Sequence, residues 1–184
     1  MLFHPTAIPG AYLIEPERIS DQRGFFARTW CRNELAEHGL VTELAQCSIS
    51  FNTASGTLRG MHYQAAPHGE AKLVRCTSGA IYDVIIDLRP ESPAYLQYVA
   101  AELSAANRML FYIPEGCAHG FLTLADNSEV FYQISAMYTP SAARGVRYND
   151  PVFAIPWPSE ARVISDRDRD YPDFIPDQSA RTSG

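Results

Sequence analysis

The chain has 184 residues, about one domain on length alone and enough to bury roughly 70% of its unfolded surface in a single core. A hydrophobic fraction of 46% and a charged fraction of 20% exclude disorder, collagen-like repeats and a coiled coil. Fifteen basic against twenty-one acidic residues, a net charge of −6, argue against a nucleic-acid partner recognised through a basic surface, so an anionic ligand has to be held by a local cluster.

Taken in chain order, the pattern from Ala11 onward has mostly period two, with turn residues every eight to twelve positions, as in all-β sandwiches and barrels. Strands are predicted at Tyr12 to Glu17 and Gly24 to Trp30, followed by a short helix at Arg32 to His38 closed by Gly39. Further strands follow at Leu44 to Ser50, Thr57 to Gln64, Lys72 to Thr77 and Tyr82 to Arg89, the last two joined through a hairpin at Ser78-Gly79. In the strand at Tyr82, residues Tyr82, Val84, Ile86 and Leu88 share one face and Asp83, Asp87 and Arg89 the other. The remaining strands read as Tyr95 to Leu103, Met109 to Ile113, His119 to Leu124 and Glu129 to Tyr138. From Asn149 the chain is proline-rich and carries the charged run Asp166 to Asp170, which predicts a loop-rich arm with one or two short helical turns and a loose tail over 170–184. No internal repeat or second domain is visible, so residues 1–184 read as one unit.

About ten antiparallel strands without crossover helices predict an all-β fold, a jelly-roll β-barrel of cupin type with a ligand site at its mouth. No membrane partner is expected, because no run of about 18 apolar residues exists and Met1 to Leu13 lacks the pattern of a leader peptide; the expected location is cytoplasmic. Cys31, Cys47, Cys76 and Cys117 lie far apart without a C-x-x-C pair and read as free, mostly buried thiols. Lys72 is the only lysine beside fourteen arginines, a compact ammonium among guanidinium forks.

Two segments carry chemistry. In Gly56-Thr57-Leu58-Arg59-Gly60-Met61-His62-Tyr63-Gln64, Arg59 and His62 stand three apart and so on opposite faces of a strand. Both can enter one cavity only through a bulge, which Gly60 would permit. In Pro114-Glu115-Gly116-Cys117-Ala118-His119-Gly120-Phe121, a Pro/Gly turn delivers His119 between small neighbours. Together the segments resemble the paired cupin motifs, with Gly56 and His62 at the expected spacing. Gln64 replaces the second motif histidine and the acidic residue is displaced to Glu70, a poor donor set for Zn²⁺ or Fe²⁺. A metal-free site is therefore expected.

The match narrows further through Arg23-Gly24-Phe25-Phe26, the Gly56 to Gln64 block, Lys72-Leu73-Val74, Ser92-Pro93, the Pro114 to Phe121 block, Asn149-Asp150-Pro151 and Ser165-Asp166-Arg167-Asp168. In order and spacing these are similar to the dTDP-4-dehydrorhamnose 3,5-epimerase family, over nearly the whole chain. The resemblance implies a cofactor-independent isomerase that epimerises C3, C5 or both of a nucleotide-activated 4-keto-6-deoxyhexose. Removing a proton beside a carbonyl with an imidazole spans a gap of about 12 pKa units, about 17 kcal/mol, so the enolate has to be stabilised and a second acid has to return the proton.

By resemblance, His62 is the base and Asp168 the carboxylate orienting it, with Asp83 on a nearby strand as rival partner. Lys72 matches the lysine near the C4 oxygen, His119 a further substrate contact, Tyr132 the proton donor, and Tyr138 an aromatic stacked on the nucleobase. Parity on one continuous strand would put the two tyrosines about 20 Å apart under the ligand. Arg23 and Arg59 match anion contacts, and Arg23 lies in a strand exchanged between subunits, which implies a homodimer. Several positions depart from the family pattern: Arg28 for a glutamate, Ser48 for the asparagine following Gln46, Ala143 for an acid, Glu70 for a glutamine and Arg167 for a lysine. Most lie on the nucleotide side, so the sequence predicts the epimerase chemistry with an altered base or an altered way of holding it. The rival classes are a metal-dependent cupin using His62, His119 and Glu70, and a non-catalytic sugar-nucleotide-binding jelly roll.

Overall fold

The computed structural model describes residues 1–176. Thirteen strands and two short helices follow one another as β1 (Leu2–Pro5), β2 (Tyr12–Glu15), β3 (Arg18–Asp21), β4 (Gly24–Ala27), α1 (Arg32–Glu37), β5 (Gln46–Asn52), β6 (Leu58–Gln64), β7 (Lys72–Ser78), β8 (Ala80–Asp87), β9 (Tyr98–Ser104), β10 (Leu110–Ile113), β11 (Cys117–Thr123), β12 (Ser128–Ile134), β13 (Ala143–Gly145) and α2 (Asp166–Arg169). They form a six-stranded sheet in the order β1-β2-β10-β7-β12-β5 and a five-stranded sheet in the order β13-β6-β11-β8-β9, with β3 and β4 as a separate two-stranded ribbon. All strand pairs are antiparallel, as expected for the cupin-type jelly roll.

Between the two sheets, Val74, Cys76, Ile81, Ile85, Phe111, Phe121 and Val130 form one apolar cluster. Two further clusters cover the outer faces. Leu35 of α1 packs with Ile14, Leu73, Leu110 and Tyr112 of the six-stranded sheet. The C-terminal arm lays Phe153, with Trp157 and Phe174, against Met61, Val84, Ile86 and Ala118 of the five-stranded sheet. Burial of both faces explains the pattern of β8. Its apolar face meets the arm, and the Asp83 and Asp87 face, also fully buried, turns into the barrel.

Several expectations are corrected here. Ser78-Gly79 joins no hairpin: β7 pairs with β10 and β12, and β8 with β9 and β11, so the turn is a corner between sheets. Gly79 makes that corner at φ +71, where an added Cβ would strike Ser128. The strand predicted through Tyr138 stops at Ile134, so strand parity does not link Tyr132 to Tyr138. β1, β3 and β13 were not expected; each is three or four residues long, too short for a period to register. Cys76 and Cys117 are buried as expected, whereas Cys47 is exposed and Cys31 intermediate. Of the expected loose tail, 170–176 is anchored: Phe174 N–H donates to buried Asp150 (2.7 Å) and the Phe174 ring lies 5.3 Å from Phe153. Residues 177–184 lie outside the described part. Among the described residues no helix is long and apolar enough to cross a membrane.

Candidate active site

The mouth of the barrel holds a cavity of about 400 Å³, within the range of small-molecule sites. Its walls come from both sheets. β6 and β11 of the five-stranded sheet bring Arg59, His62 and His119; β5, β7 and β12 of the six-stranded sheet bring Gln46, Ser48, Ser50, Lys72 and Tyr132. Tyr138, from the turn after β12, and Arg167 and Asp168, from α2, complete the rim.

Arg59 and His62 share this cavity because β6 bulges. His119 pairs with His62 and Phe121 with Arg59, so three steps along β6 match two along β11. The slack falls at Gly60, whose φ is +134 and whose added Cβ would lie 2.5 Å from the Gly120 Cα. Only glycine fits that close approach.

Two imidazole–carboxylate pairs sit side by side across β6 and β11. His62 Nε2–H donates to Asp168 Oδ1 (2.7 Å), and the other carboxylate oxygen accepts the Gly60 N–H (3.2 Å). Asp168 stands in α2, where its own N–H binds the Ser165 Oγ cap. Burial alone would raise the Asp168 carboxyl, but the His62 hydrogen bond and charge, with the Gly60 and Ser165 contacts, hold it below the usual carboxylate range. His119 Nε2–H donates to Asp83 Oδ1 (2.8 Å). Asp83 is therefore the partner of His119 and not of His62. Its Oδ2 is buried without a partner, and desolvation pushes the carboxyl up despite the attraction of His119 and Lys72.

Tyr132 faces these imidazoles from the opposite sheet, its ring centroid 6.1 Å from that of His119. Burial, with the Asp83 charge, drives its phenol far above the ordinary value, so it keeps its proton. Lys72, at the start of β7, pairs with Glu70 (2.9 Å). Arg59 donates to Asn52 Oδ1 (2.7 Å) and Arg167 to the Tyr171 hydroxyl (3.0 Å). Gln64, singled out as the lost motif histidine, instead ties the 137–139 turn to the barrel through Thr139 N–H (2.6 Å) and the Met137 carbonyl (3.3 Å).

Arg23 and Arg28 are not brought to the cavity within one chain. Arg23 lies in the turn between β3 and β4, its side chain 90% exposed and paired with Asp21; Arg28 pairs with Glu34 (2.6 Å). Each guanidinium is satisfied locally, and the ribbon holding Arg23 stands apart from both sheets. Sequence reasoning missed Ser50 and Arg144. Ser50 follows from the Gln46, Ser48, Ser50 alternation on β5, whereas Arg144 stands on the unpredicted β13. Among the described residues no group of three or more His, Cys, Asp and Glu gathers as metal ligands. The set His62, His119 and Glu70 forms no such group.

A jelly roll whose mouth joins an imidazole paired with a carboxylate, a protonated phenol and a lysine has the groups that proton transfer on a bound small molecule requires. Comparison with known proteins agrees: the family model described as dTDP-4-dehydrorhamnose 3,5-epimerase matches residues 5–175. The dTDP-4-dehydrorhamnose 3,5-epimerase of Sinorhizobium fredii is 38% identical over 177 residues, 94% of this chain and 89% of that protein. A dTDP-4-dehydrorhamnose 3-epimerase of Streptomyces niveus is 37% identical over 171 residues, 92% of this chain and 82% of that one. The crystal structure of dTDP-4-dehydrorhamnose 3,5-epimerase from Bacillus anthracis with TDP and PPi bound superposes with a TM-score of 0.90 at 38% identity, covering 94% of this chain and 99% of that one. The chain belongs to the dTDP-4-dehydrorhamnose 3,5-epimerase family.

Proposed function

We propose that this chain epimerises a nucleotide-activated 4-keto-6-deoxyhexose, of the dTDP-4-dehydro-6-deoxy-D-glucose type, at C3, C5 or both. The observation carrying this reading is that His62 and Tyr132 enter one cavity from facing sheets, with Lys72 on the same wall as Tyr132. With Nε2–H committed to Asp168, the His62 lone pair is on Nδ1. That nitrogen takes the C–H proton next to the keto group, and the electron pair moves onto the C4 oxygen as an enolate. The Lys72 ammonium stabilises that oxygen. Tyr132 O–H then protonates the same carbon from the other side, inverting it; solvent reprotonates the phenolate and takes the proton from His62, which restores both groups. A phenol held far above its ordinary pKa gives its proton only to a strong base, and the enolate carbon is one.

Gln46, Ser48, Arg59, Tyr138 and Arg167 line the route by which the nucleotide would extend, and His119 lies at the sugar end. The Ser48, Ala143 and Arg167 departures all face the cavity, which supports a base held in a modified way; Arg28 adds no support from within one chain. A second copy of the chain would cover the apolar β3–β4 ribbon, where Ile19 and Phe26 are 72% and 71% exposed, and would bring Arg23 within reach of a neighbouring site. The 3-epimerase relative, as similar as the 3,5-epimerases, keeps single inversion in view. Mass spectrometry of dTDP-4-keto-6-deoxyglucose incubated with the protein in D₂O tests the reading. A gain of one mass unit marks exchange at one carbon and two units at both; no gain rejects it.

A further inference from the structure

Charge in the cavity is divided by depth. On its floor each imidazole and the Lys72 ammonium has a carboxylate: His62 with Asp168 (2.7 Å), His119 with Asp83 (2.8 Å) and Lys72 with Glu70 (2.9 Å). The Lys72 and Glu70 side chains are each only 10% exposed. At the rim the arginines are exposed and bonded to neutral oxygens. Arg59 donates to the Asn52 amide, Arg144 to the Ser141 and Ala143 carbonyls (2.8 and 2.9 Å), and Arg167 to the Tyr171 hydroxyl. Floor and rim therefore differ in net charge: the Lys72 charge is matched by Glu70, whereas Arg59, Arg144 and Arg167 have no carboxylate partner among the described residues.

Resting on the function proposed above, we infer that Glu70 is a specificity-determining residue: by neutralising Lys72 it reserves the floor for an uncharged hexose ring and confines the ligand's diphosphate to the arginine rim. Without Glu70, Lys72 would be a nearly buried ammonium with no carboxylate in contact. The strongest ligand for such a group is the most highly charged part of the substrate, the diphosphate. A nucleotide sugar drawn in phosphate-first would put its diphosphate where the keto sugar has to lie against His62 and Tyr132. Glu70 acts against that register by repulsion, and leaves Lys72 further N–H donors for a single oxygen that becomes anionic only during reaction.

The test is isothermal titration of inorganic pyrophosphate and, separately, dTDP into wild type, Glu70→Gln and the double variant Glu70→Gln/Lys72→Met. Glutamine keeps the size of the side chain and removes its charge. Moving a unit charge from within about 5 Å of an anion changes affinity by about tenfold or more at the dielectric of a partly buried site. Pyrophosphate should bind Glu70→Gln about tenfold or more tightly, dTDP should change less than threefold, and Lys72→Met should return pyrophosphate to its wild-type affinity. An unchanged pyrophosphate affinity, or equal tightening of both ligands, overturns the inference, and so does a gain that survives Lys72→Met. Heat is read without turnover, so a failed epimerase reading, which isotope exchange detects, stays distinguishable from a failure here. Thermal melts of the three proteins identify a variant that has lost its fold; Glu70→Ala, which also removes the charge, then replaces it with the same direction of change expected.

Discussion

His62 finds its carboxylate 106 residues downstream, in a four-residue helix whose Ser165 cap fixes the Asp168 backbone. Two effects follow from that one contact. Asp168→Asn keeps the shape but removes the charge that orients and strengthens the base, and turnover is expected to fall about 10²-fold or more, with substrate affinity nearly unchanged. The folded carboxyl is held below its unfolded value of about 3.9, so its stabilising contribution is complete above that value and is lost as pH falls through the lower, folded one. Denaturant melts should show the wild-type advantage over Asp168→Asn shrinking as pH falls below about 4. An advantage that kept growing below that pH would contradict the assignment. On the opposite wall, Tyr132→Phe is expected to leave deuterium exchange of the starting sugar running while the epimer forms at least tenfold more slowly, because removal and return of the proton are separate duties. At this scale the block of sequence around His62 was readable by resemblance. The choice between Asp168 and Asp83 was not, since both are aspartates at distant positions and only the folded chain shows that Asp83 belongs to His119.

The strand β6 works because it is irregular. Its bulge turns Arg59 and His62 into one cavity, and the close passage of Gly60 over Gly120 fixes where the extra residue goes. Gly60→Ala combines a positive φ with a Cβ 2.5 Å from backbone, so a loss of about 2 to 4 kcal/mol is expected in chemical denaturation. A loss below about 1 kcal/mol would mean that the bulge relocates. The need for this bulge could be read from the spacing of Arg59 and His62 alone. By contrast, Ser78-Gly79 looks the same in sequence whether it closes a hairpin or turns a corner between sheets, because both need a residue at positive φ. The end of β12 was equally hidden: the alternation runs on to Tyr138, but the chain leaves the sheet after Ile134 so that the 137–139 turn can bind Gln64.

For the molecule as a whole, the proposed mechanism draws the two halves of one proton relay from the two sheets, and the C-terminal arm covers the back of the sheet that carries His62. The arm's proline-rich sequence reads as loop, and its packing role became visible only through Phe153, Trp157 and Phe174 lying on β6, β8 and β11. One exposed apolar surface is the β3–β4 ribbon, where Ile19 and Phe26 stand opposite each other and are 72% and 71% exposed. Sedimentation equilibrium is expected to give twice the chain mass of 20.5 kDa, with Phe26→Glu shifting it toward one chain; a wild-type monomer at micromolar concentration would remove the second copy from the account. The most direct measurement concerns the relay itself: proton NMR of dTDP-4-keto-6-deoxyglucose in D₂O, followed with wild type, His62→Ala and Tyr132→Phe. The arrangement predicts loss of the C3 or C5 proton signal with appearance of the epimer for wild type, no exchange for His62→Ala, and exchange largely without epimer for Tyr132→Phe. Exchange that persists at the wild-type rate in His62→Ala would contradict it.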